Sequence, residues 1–196
     1  MLRRAALINA AIKLLSKNNP QEISFKQIAK LAEVPEGSAY HFYANKYDLF
    51  TDVAGEMSRL FRDGQSQPIK RKVETWHDIM DALIERGALI YEENPVAREL
   101  LIGPKTPPEI KQVDRENNQK IAWVMIDRVN DKFELPKIED FDKVMFWVIE
   151  LTDLMFGLSV REHGYIHPRY IEEVKRISRG YLSTYLPSIL PRRQQR

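Results

Sequence analysis

The stretch that decides the fold runs from Ile23 to Leu49 and reads ISFKQIAKLAEVPEGSAYHFYANKYDL. Its apolar residues recur at helical spacing, with one interruption at residues 33–35. Ser24 is a good N-cap for the first helix, and Gln27, three residues on, is its capping-box partner. Pro35 fits the first turn of a new helix. The stretch therefore predicts two short helices joined by a tight turn, with a third helix starting straight after.

This outline is that of a helix-turn-helix, in which the second helix lies in the DNA major groove and its first residues face base edges. Over roughly residues 3–50 the chain resembles the N-terminal domain of TetR-type transcriptional repressors. The usual pattern of that family is approximately I-A-x-x-A-G-V-S-x-G-x-x-Y-x-[HY]-F-x-x-K-x-x-L. The residues that match it in register are Ile28, Ala29, Ala32, Val34, Gly37, Tyr40, Tyr43, Lys46 and Leu49.

The chain departs from this pattern at three points. Glu33 replaces the usual turn glycine and Pro35 the usual serine cap, so both bear on the geometry of the turn. Phe42-Tyr43 replaces the usual His/Tyr-Phe pair, and Phe42 is expected to remove one polar contact to phosphate.

The charge is uneven along the chain. Residues 1–50 hold seven Lys/Arg against four Asp/Glu, whereas residues 51–196 hold 23 against 24. The positive excess therefore lies in the segment that is expected to touch DNA, together with aromatic and hydroxyl side chains of phosphate-contacting types. Base readout is expected from the first turn of the second helix, where Glu36 can accept from a cytosine amino group. The candidate DNA-binding residues are Ser24, Lys26, Pro35, Glu36, Gly37, Ser38, Tyr40, His41, Tyr43 and Lys46.

Composition excludes several other classes of protein. The chain has no cysteine, which rules out disulfides, thiolate metal sites and a cysteine nucleophile. It has no glycine-rich phosphate loop and no G-x-S-x-G elbow, so we expect no enzyme, no cofactor and no metal site. No apolar run approaches ~18 residues and no signal peptide is recognisable, which predicts no membrane association and a cytoplasmic location.

The rest of the chain reads as helices with short breaks, without sustained period-2 alternation. We therefore predict an all-α protein of two parts. Residues 1–48 form a three-helix helix-turn-helix DNA-binding domain, and residues 49–196 form a helical ligand-binding and dimerisation domain. The helices are predicted at about residues 2–17, 45–62, 75–93, 95–101, 109–133, 138–163 and 168–186.

The segment 144–160, VMFWVIELTDLMFGLSV, is apolar nearly all round and must be covered on several sides. A second subunit is the economical cover, and the alternative is a central core helix in a monomer. In TetR-like proteins the last two helices build a four-helix dimer interface, which the resemblance implies here. The predicted interface residues are Val148, Met155, Ile177, Ser178, Tyr181, Leu182 and Tyr185.

The candidate pocket lies among the predicted helices 75–93, 109–133 and 138–163, where aromatic and soft side chains are abundant, and such a lining suits a flat or oily ligand. The alternative is ordinary core packing. Glu150 and Asp153 lie three apart on one side of an otherwise apolar helix. They either pair with arginines, for which Arg86, Arg98, Arg128 and Arg179 are candidates, or face a cationic or hydrogen-bonding ligand. The candidate ligand-binding residues are Trp76, Trp123, Phe146, Trp147, Glu150 and Asp153.

Together these observations favour a ligand-responsive DNA-binding regulator. It would be a homodimeric repressor that a small apolar or aromatic effector releases from a pseudo-palindromic double-stranded operator. The alternative is a small-molecule carrier or an enzyme that keeps an ancestral helix-turn-helix. A carrier would have no reason to keep the block 37–46 basic and aromatic.

Overall fold

The computed structural model describes residues 2–104 and 106–193, and in this part of the chain regular structure is helical. The all-α prediction is confirmed. The helices are α1 (Leu2–Leu15), α2 (Phe25–Leu31), α3 (Glu36–Tyr40), α4 (Lys46–Gln65), α5 (Trp76–Glu93), α6 (Pro95–Ala97), α7 (Pro108–Asn130), α8 (Phe141–His163) and α9 (Pro168–Leu182). A π-helical turn, Arg98–Ile102, follows α6 directly. One isolated antiparallel bridge joins Phe133 to Arg192.

Local capping defines the first three helices. The Ser24 side chain accepts from the Gln27 backbone N–H at 3.2 Å, and the Gln27 side chain accepts from the Ser24 N–H at 2.7 Å. This is the predicted capping box, and it satisfies two backbone donors at the start of α2. Pro35 precedes α3 as its N-cap residue and offers no side-chain bond, and α3 has five residues.

Helix α4 links the two halves of the chain. Its buried residues follow 3–4 spacing from Leu49 and Phe50 to Phe61 and Gln65, so one continuous face is covered along its length. The helix packs against α1, α5 and α7. The predicted boundary between residues 48 and 49 falls inside this helix, and the division into two domains stays a prediction.

The C-terminal helices form layers around α8. This helix packs on α7 on one side and on α9 on another, while α9 also packs on α5. Gly157 allows the π-helical turn to approach α8 closely, because a Cβ at this position would lie 2.8 Å from the Ile102 carbonyl oxygen. The chain after α9 turns back on the fold, where the Trp76 indole donates to the Pro187 carbonyl at 2.9 Å.

The turn between α2 and α3 contains a strained residue. Glu33, which stands where the TetR pattern has glycine, adopts a φ of 54°. A side chain in this left-handed region costs about 1–2 kcal/mol, whereas glycine adopts it freely.

We expect Glu33→Gly to raise the free energy of unfolding by about 1 kcal/mol, because relief of strain exceeds the entropy lost by glycine on folding. Urea unfolding followed by circular dichroism measures this change. Glu33→Ala is the matched control, since alanine retains a Cβ in the same conformation. A glycine variant no more stable than the alanine variant would contradict the assignment of strain.

Candidate functional site

The outer face of the helix-turn-helix is formed by α3 and the residues that flank it. Four of the predicted base-reading or phosphate-binding residues are exposed there, namely Pro35, Glu36, Gly37 and His41, and Ser38 is half-buried. Tyr40 is half exposed, and its ring packs on the Phe25 ring at 4.9 Å between centroids. The structure thus brings together a small polar surface with one fixed aromatic ring.

Two other DNA-binding candidates lie at the start of α2. Lys26 is exposed, and Ser24 is exposed but uses its hydroxyl in the capping box. Contact of these two residues with phosphate stays a prediction.

Lys46 has a structural role that the sequence interpretation missed. Its ammonium donates to the carbonyl oxygens of Pro20, Gln21 and Ile23 at 3.0, 3.0 and 2.8 Å, respectively. All three donors of the amine are therefore used inside the protein. Burial lowers the pKa of Lys46. The side chain ties the start of α4 to the loop between α1 and α2, so phosphate contact would require these bonds to break.

Tyr43 also differs from its predicted role, because its side chain is buried. Its hydroxyl donates to the Asp52 carboxylate at 2.5 Å and accepts from Arg4 Nε at 3.1 Å. A further ion pair joins Arg4 to Asp52 at 2.6 Å. Burial and the hydrogen bond to Asp52 raise the pKa of Tyr43 to about 12. The three side chains join α1 to α4.

In the C-terminal part, an open cleft of about 800 Å³ lies between the π-helical turn, α7, α8 and α9. Its walls combine apolar with charged side chains. The apolar ones include Trp147, Leu151, Leu154, Leu158 and Tyr181, and the charged ones are Lys111, Arg115, Glu150, Asp153 and Arg161.

The two predicted carboxylates meet in this cleft through Asn118. The Asn118 amide donates to Glu150 Oε1 and to Asp153 Oδ2, both at 2.9 Å. Asp153 is buried and also accepts from the Tyr91 hydroxyl at 3.1 Å. Glu150 pairs with Arg115 at 3.5 Å. Structural pairing is therefore present, but through Asn118, Tyr91 and Arg115.

A second ion pair lies beside this group. The Lys111 ammonium contacts Asp114 at 2.9 Å and donates to the Leu101 carbonyl at 2.9 Å, which fixes the end of the π-helical turn to α7. Burial raises the pKa of Asp153 to about 7, and the Asp114 carboxylate adds to the effect. Burial also raises the pKa of Asp114, against the opposing effect of Lys111. The Asp153 carboxyl is therefore partly protonated near neutral pH.

None of the four arginines predicted as partners contacts Glu150 or Asp153. Arg86 caps backbone carbonyls after α4, and Arg128 donates to the Ser66 carbonyl. Arg98 pairs with Glu92, and Arg179 pairs with Asp81.

The predicted ligand residues divide into two groups. Trp147, Glu150 and Asp153 line the cleft, and their contact with a ligand stays a prediction. Trp76 does not, because this first residue of α5 is completely buried, with its indole bound to the Pro187 carbonyl. Trp123 is 54% exposed on α7, and Phe146 packs against the core, so neither lines the cleft.

The predicted interface residues require a similar correction. Val148, Ser178 and Leu182 are buried within one protomer and face its own core. The remaining four are accessible: Ile177 and Tyr185 are exposed, and Met155 and Tyr181 are half-buried. Leu151 and Leu154 were missed, although they are exposed on α8 beside Trp147 at 4–3 spacing.

Two family models match the chain. The model described as "Bacterial regulatory proteins, tetR family" matches residues 7–53, and "Tetracyclin repressor-like, C-terminal domain" matches residues 74–186. The chain belongs to the TetR family. It is thus a transcriptional regulator of a family whose members bind DNA and small molecules.

Solved structures share the fold of this TetR-family protein. A TetR-family transcriptional regulator from Streptomyces coelicolor has a TM-score of 0.72 and 18% identity over 94% of this chain and 99% of that one. The fatty acid degradation regulator FadR from Bacillus halodurans has a TM-score of 0.63 and 14% identity, covering 92% and 94%. The multidrug binding protein EbrR complexed with ethidium has a TM-score of 0.57 and 17% identity, covering 91% and 98%.

Among curated proteins, the Fatty acid metabolism regulator protein of Bacillus subtilis (strain 168) is similar. It is 23% identical over 155 residues, which are 79% of this chain and 72% of the relative. Within residues 2–104 and 106–193, no helix of this TetR-family protein has the length and apolar character needed to span a membrane.

We expect Lys46→Met to lower the free energy of unfolding by about 2 kcal/mol, because three carbonyl oxygens, two of them in part-buried bonds, lose a charged donor. Operator affinity should fall, while the dependence of affinity on salt should stay unchanged. Lys13→Met, at an exposed position of α1, controls for the loss of one charge. If Lys46 instead binds phosphate, the salt slope falls by about one unit and stability is unaffected.

The buried carboxyl predicts a pH dependence of stability. The unfolded chain releases the Asp153 proton near the ordinary value of 3.8, whereas the folded protein keeps it until about pH 7. The free energy of unfolding should therefore fall as the pH rises from about 4 to 7, and Asp153→Asn should reduce this fall. Urea titrations across this range measure it, with Asp127→Asn on the exposed side of α7 as control. Equal pH profiles for both variants would contradict the assignment.

Proposed function

We propose that this TetR-family protein is a cytoplasmic homodimeric repressor that binds a pseudo-palindromic operator. The observation that carries the proposal is the exposed face of α3, where Glu36, Gly37 and His41 are free to meet base edges. Behind this face, the ion-paired group of Arg4, Tyr43 and Asp52 holds α1 against α4. A rigid surface of this kind favours sequence readout over loose electrostatic attraction.

Dimerisation is supported by the apolar side chains that one protomer leaves uncovered. Trp147, Leu151 and Leu154 on α8 are exposed, as are Ile177 and Tyr185 on α9. The three α8 residues recur at helical spacing and also line the cleft, and large exposed apolar patches are rare in monomeric proteins. A second copy related by two-fold symmetry would cover these side chains with the same surface and place two α3 helices for one operator.

The effector is proposed to be small and apolar or aromatic, with a cationic or hydroxyl group directed at Glu150 and Asp153. The cleft supports this chemistry through its apolar walls and its two carboxyl groups. Relatives show the range of candidates, since EbrR binds ethidium and the Bacillus subtilis relative is named for fatty acid metabolism.

Release from DNA is proposed to act through α4. Lys46 binds the start of this helix to the loop before α2, within the helix-turn-helix. The end of α4 packs among the helices of the C-terminal part. An effector that favours one tilt of α4 changes the distance between the two α3 helices of the dimer. A coupling free energy of about 1–3 kcal/mol corresponds to roughly 5–150-fold weaker operator binding.

The test combines assembly with DNA binding. The wild-type chain should have a mass near twice 23.0 kDa by light scattering and should shift DNA from the region flanking its own gene. Leu154→Lys should give monomers and weaken operator binding by at least tenfold, since each half-site alone binds weakly. Leu89→Lys on α5 is a matched control, because Leu89 and Leu154 are 55% and 58% exposed.

A dimeric protein that binds no DNA would favour the carrier or enzyme alternative. A Leu154→Lys monomer with full operator affinity would contradict the role of the dimer. Leu182 is unsuitable for this test because it is fully buried, so a charge there would unfold the protomer.

A further inference from the structure

The last residue of α4 borders a second cavity, which adjoins the open cleft at Asp153. This cavity has a volume of about 30 Å³ and lies among α4, α5, α7 and α8. Its walls are mostly soft and apolar, and include Phe61, Met125 and Phe156. Asp153 lines both the cavity and the cleft. A space of this size has room for one small polar group, and no more, without movement of its walls.

Gln65 is the polar residue of α4 at this cavity, and it is only 3% exposed. Its Nε2 donates to the Leu83 carbonyl oxygen at 3.0 Å, which fixes the orientation of the amide because a carbonyl only accepts. Its Oε1 is buried and has no hydrogen-bond partner within residues 2–104 and 106–193. A buried acceptor without a partner is destabilising, so it favours any donor that can reach it.

The wall formed by α5 packs tightly beside this amide. Gly87 on α5 faces it, and a Cβ there would lie 3.2 Å from Gln65 Nε2 and 3.3 Å from Phe61 Cζ. Both distances are shorter than ordinary van der Waals contact. An alanine at this position would therefore press the amide and the ring toward the cavity.

The backbone around Gln65 is held by arginines from two other helices. Arg86 on α5 donates to the carbonyl oxygens of Gly64, Gln65, Gln67 and Pro68, at distances from 2.7 to 3.3 Å. Arg128 on α7 donates to the Ser66 carbonyl at 3.1 Å. A displacement of the Gln65 side chain therefore acts on the anchored end of the helix that carries the reading head.

We propose that Gln65 senses the effector, and that the effector presents a hydrogen-bond donor, a hydroxyl or N–H group, to Gln65 Oε1. The apolar remainder of the effector would displace the soft side chains of the cavity. A carboxylate in this position would meet two acceptors, Gln65 Oε1 and Asp153, and is disfavoured. This inference rests on the proposed function as a ligand-responsive regulator, and it adds the chemical group recognised and the residue that couples it to α4.

The test compares phenol with toluene, two probes of similar shape that differ in one donor. Binding to the full-length dimer is measured by calorimetry for the wild type, for Gln65→Met and for the control Gln67→Met, whose glutamine is exposed. We expect the wild type to prefer phenol by about tenfold, a difference of about 1.4 kcal/mol. Gln65→Met should bind both probes within twofold of each other, whereas Gln67→Met should keep the preference.

Two further measurements keep the test decisive. Gly87→Ala should weaken binding of both probes by at least fivefold, because the added methyl group presses side chains into the cavity. This variant tests whether the probes bind in the cavity even if Gln65→Met does not fold. Saturating phenol should weaken wild-type operator binding at least fivefold and leave Gln65→Met unaffected. Equal binding of the probes to the wild type, no binding of either, or unchanged affinities in Gly87→Ala would overturn the proposal.

Operator binding without any probe is measured in parallel, so the two proposals fail separately. If the protein prefers phenol through Gln65 but does not bind DNA, the role of Gln65 is supported and the proposed function is contradicted. If the protein binds DNA but shows no preference between the probes, the proposed function is supported and the role of Gln65 is contradicted.

Discussion

Both ends of α4 are fixed by side chains from other parts of the fold, and the rest of the structure depends on this constraint. Helix ends leave backbone groups unsatisfied, and these groups need partners. At the start, Asn45 accepts from the first amides, and Lys46 binds the preceding loop. At the end, Arg86 binds four carbonyls. The 20 residues between them span about 30 Å, so a tilt set at one end moves the other.

Sequence reasoning located the helices because their ends are defined locally. Ser24, Asn45 and Pro168 are N-terminal signals that act within a few residues, and the structure has a helix start at each. The strained turn at Glu33 was also visible as a departure from glycine. Such features depend on neighbouring residues only, which is why no tertiary information was needed to predict them.

The orientation of α8 could not be predicted in this way. A helix that is apolar on all sides has no periodic signal to separate its inward from its outward face. Val148 was therefore predicted as an interface residue but is buried, whereas Leu154 is exposed and was not predicted as one. The hydrogen-bond and ion-pair partners of polar side chains could not be predicted for a related reason. Lys46 and Asp153 have hydrogen-bond partners on distant segments of the chain. Only the packing of the helices decides which of several polar groups comes within hydrogen-bond distance.

The polar groups buried between α7 and α8 point to function because they reduce stability where an apolar core would serve as well. Replacing buried ion pairs with apolar residues is often neutral or stabilising. Here Asp114, Asn118 and Asp153 lie in one group, with Gln65 bordering the adjoining cavity. Natural proteins tend to break such packing rules at sites that must change state. A ligand that supplies a donor to an unsatisfied acceptor gains free energy only in the conformation that admits it. That difference between two conformations, a few kcal/mol at one end of α4, is what a regulator needs to shift its affinity for DNA.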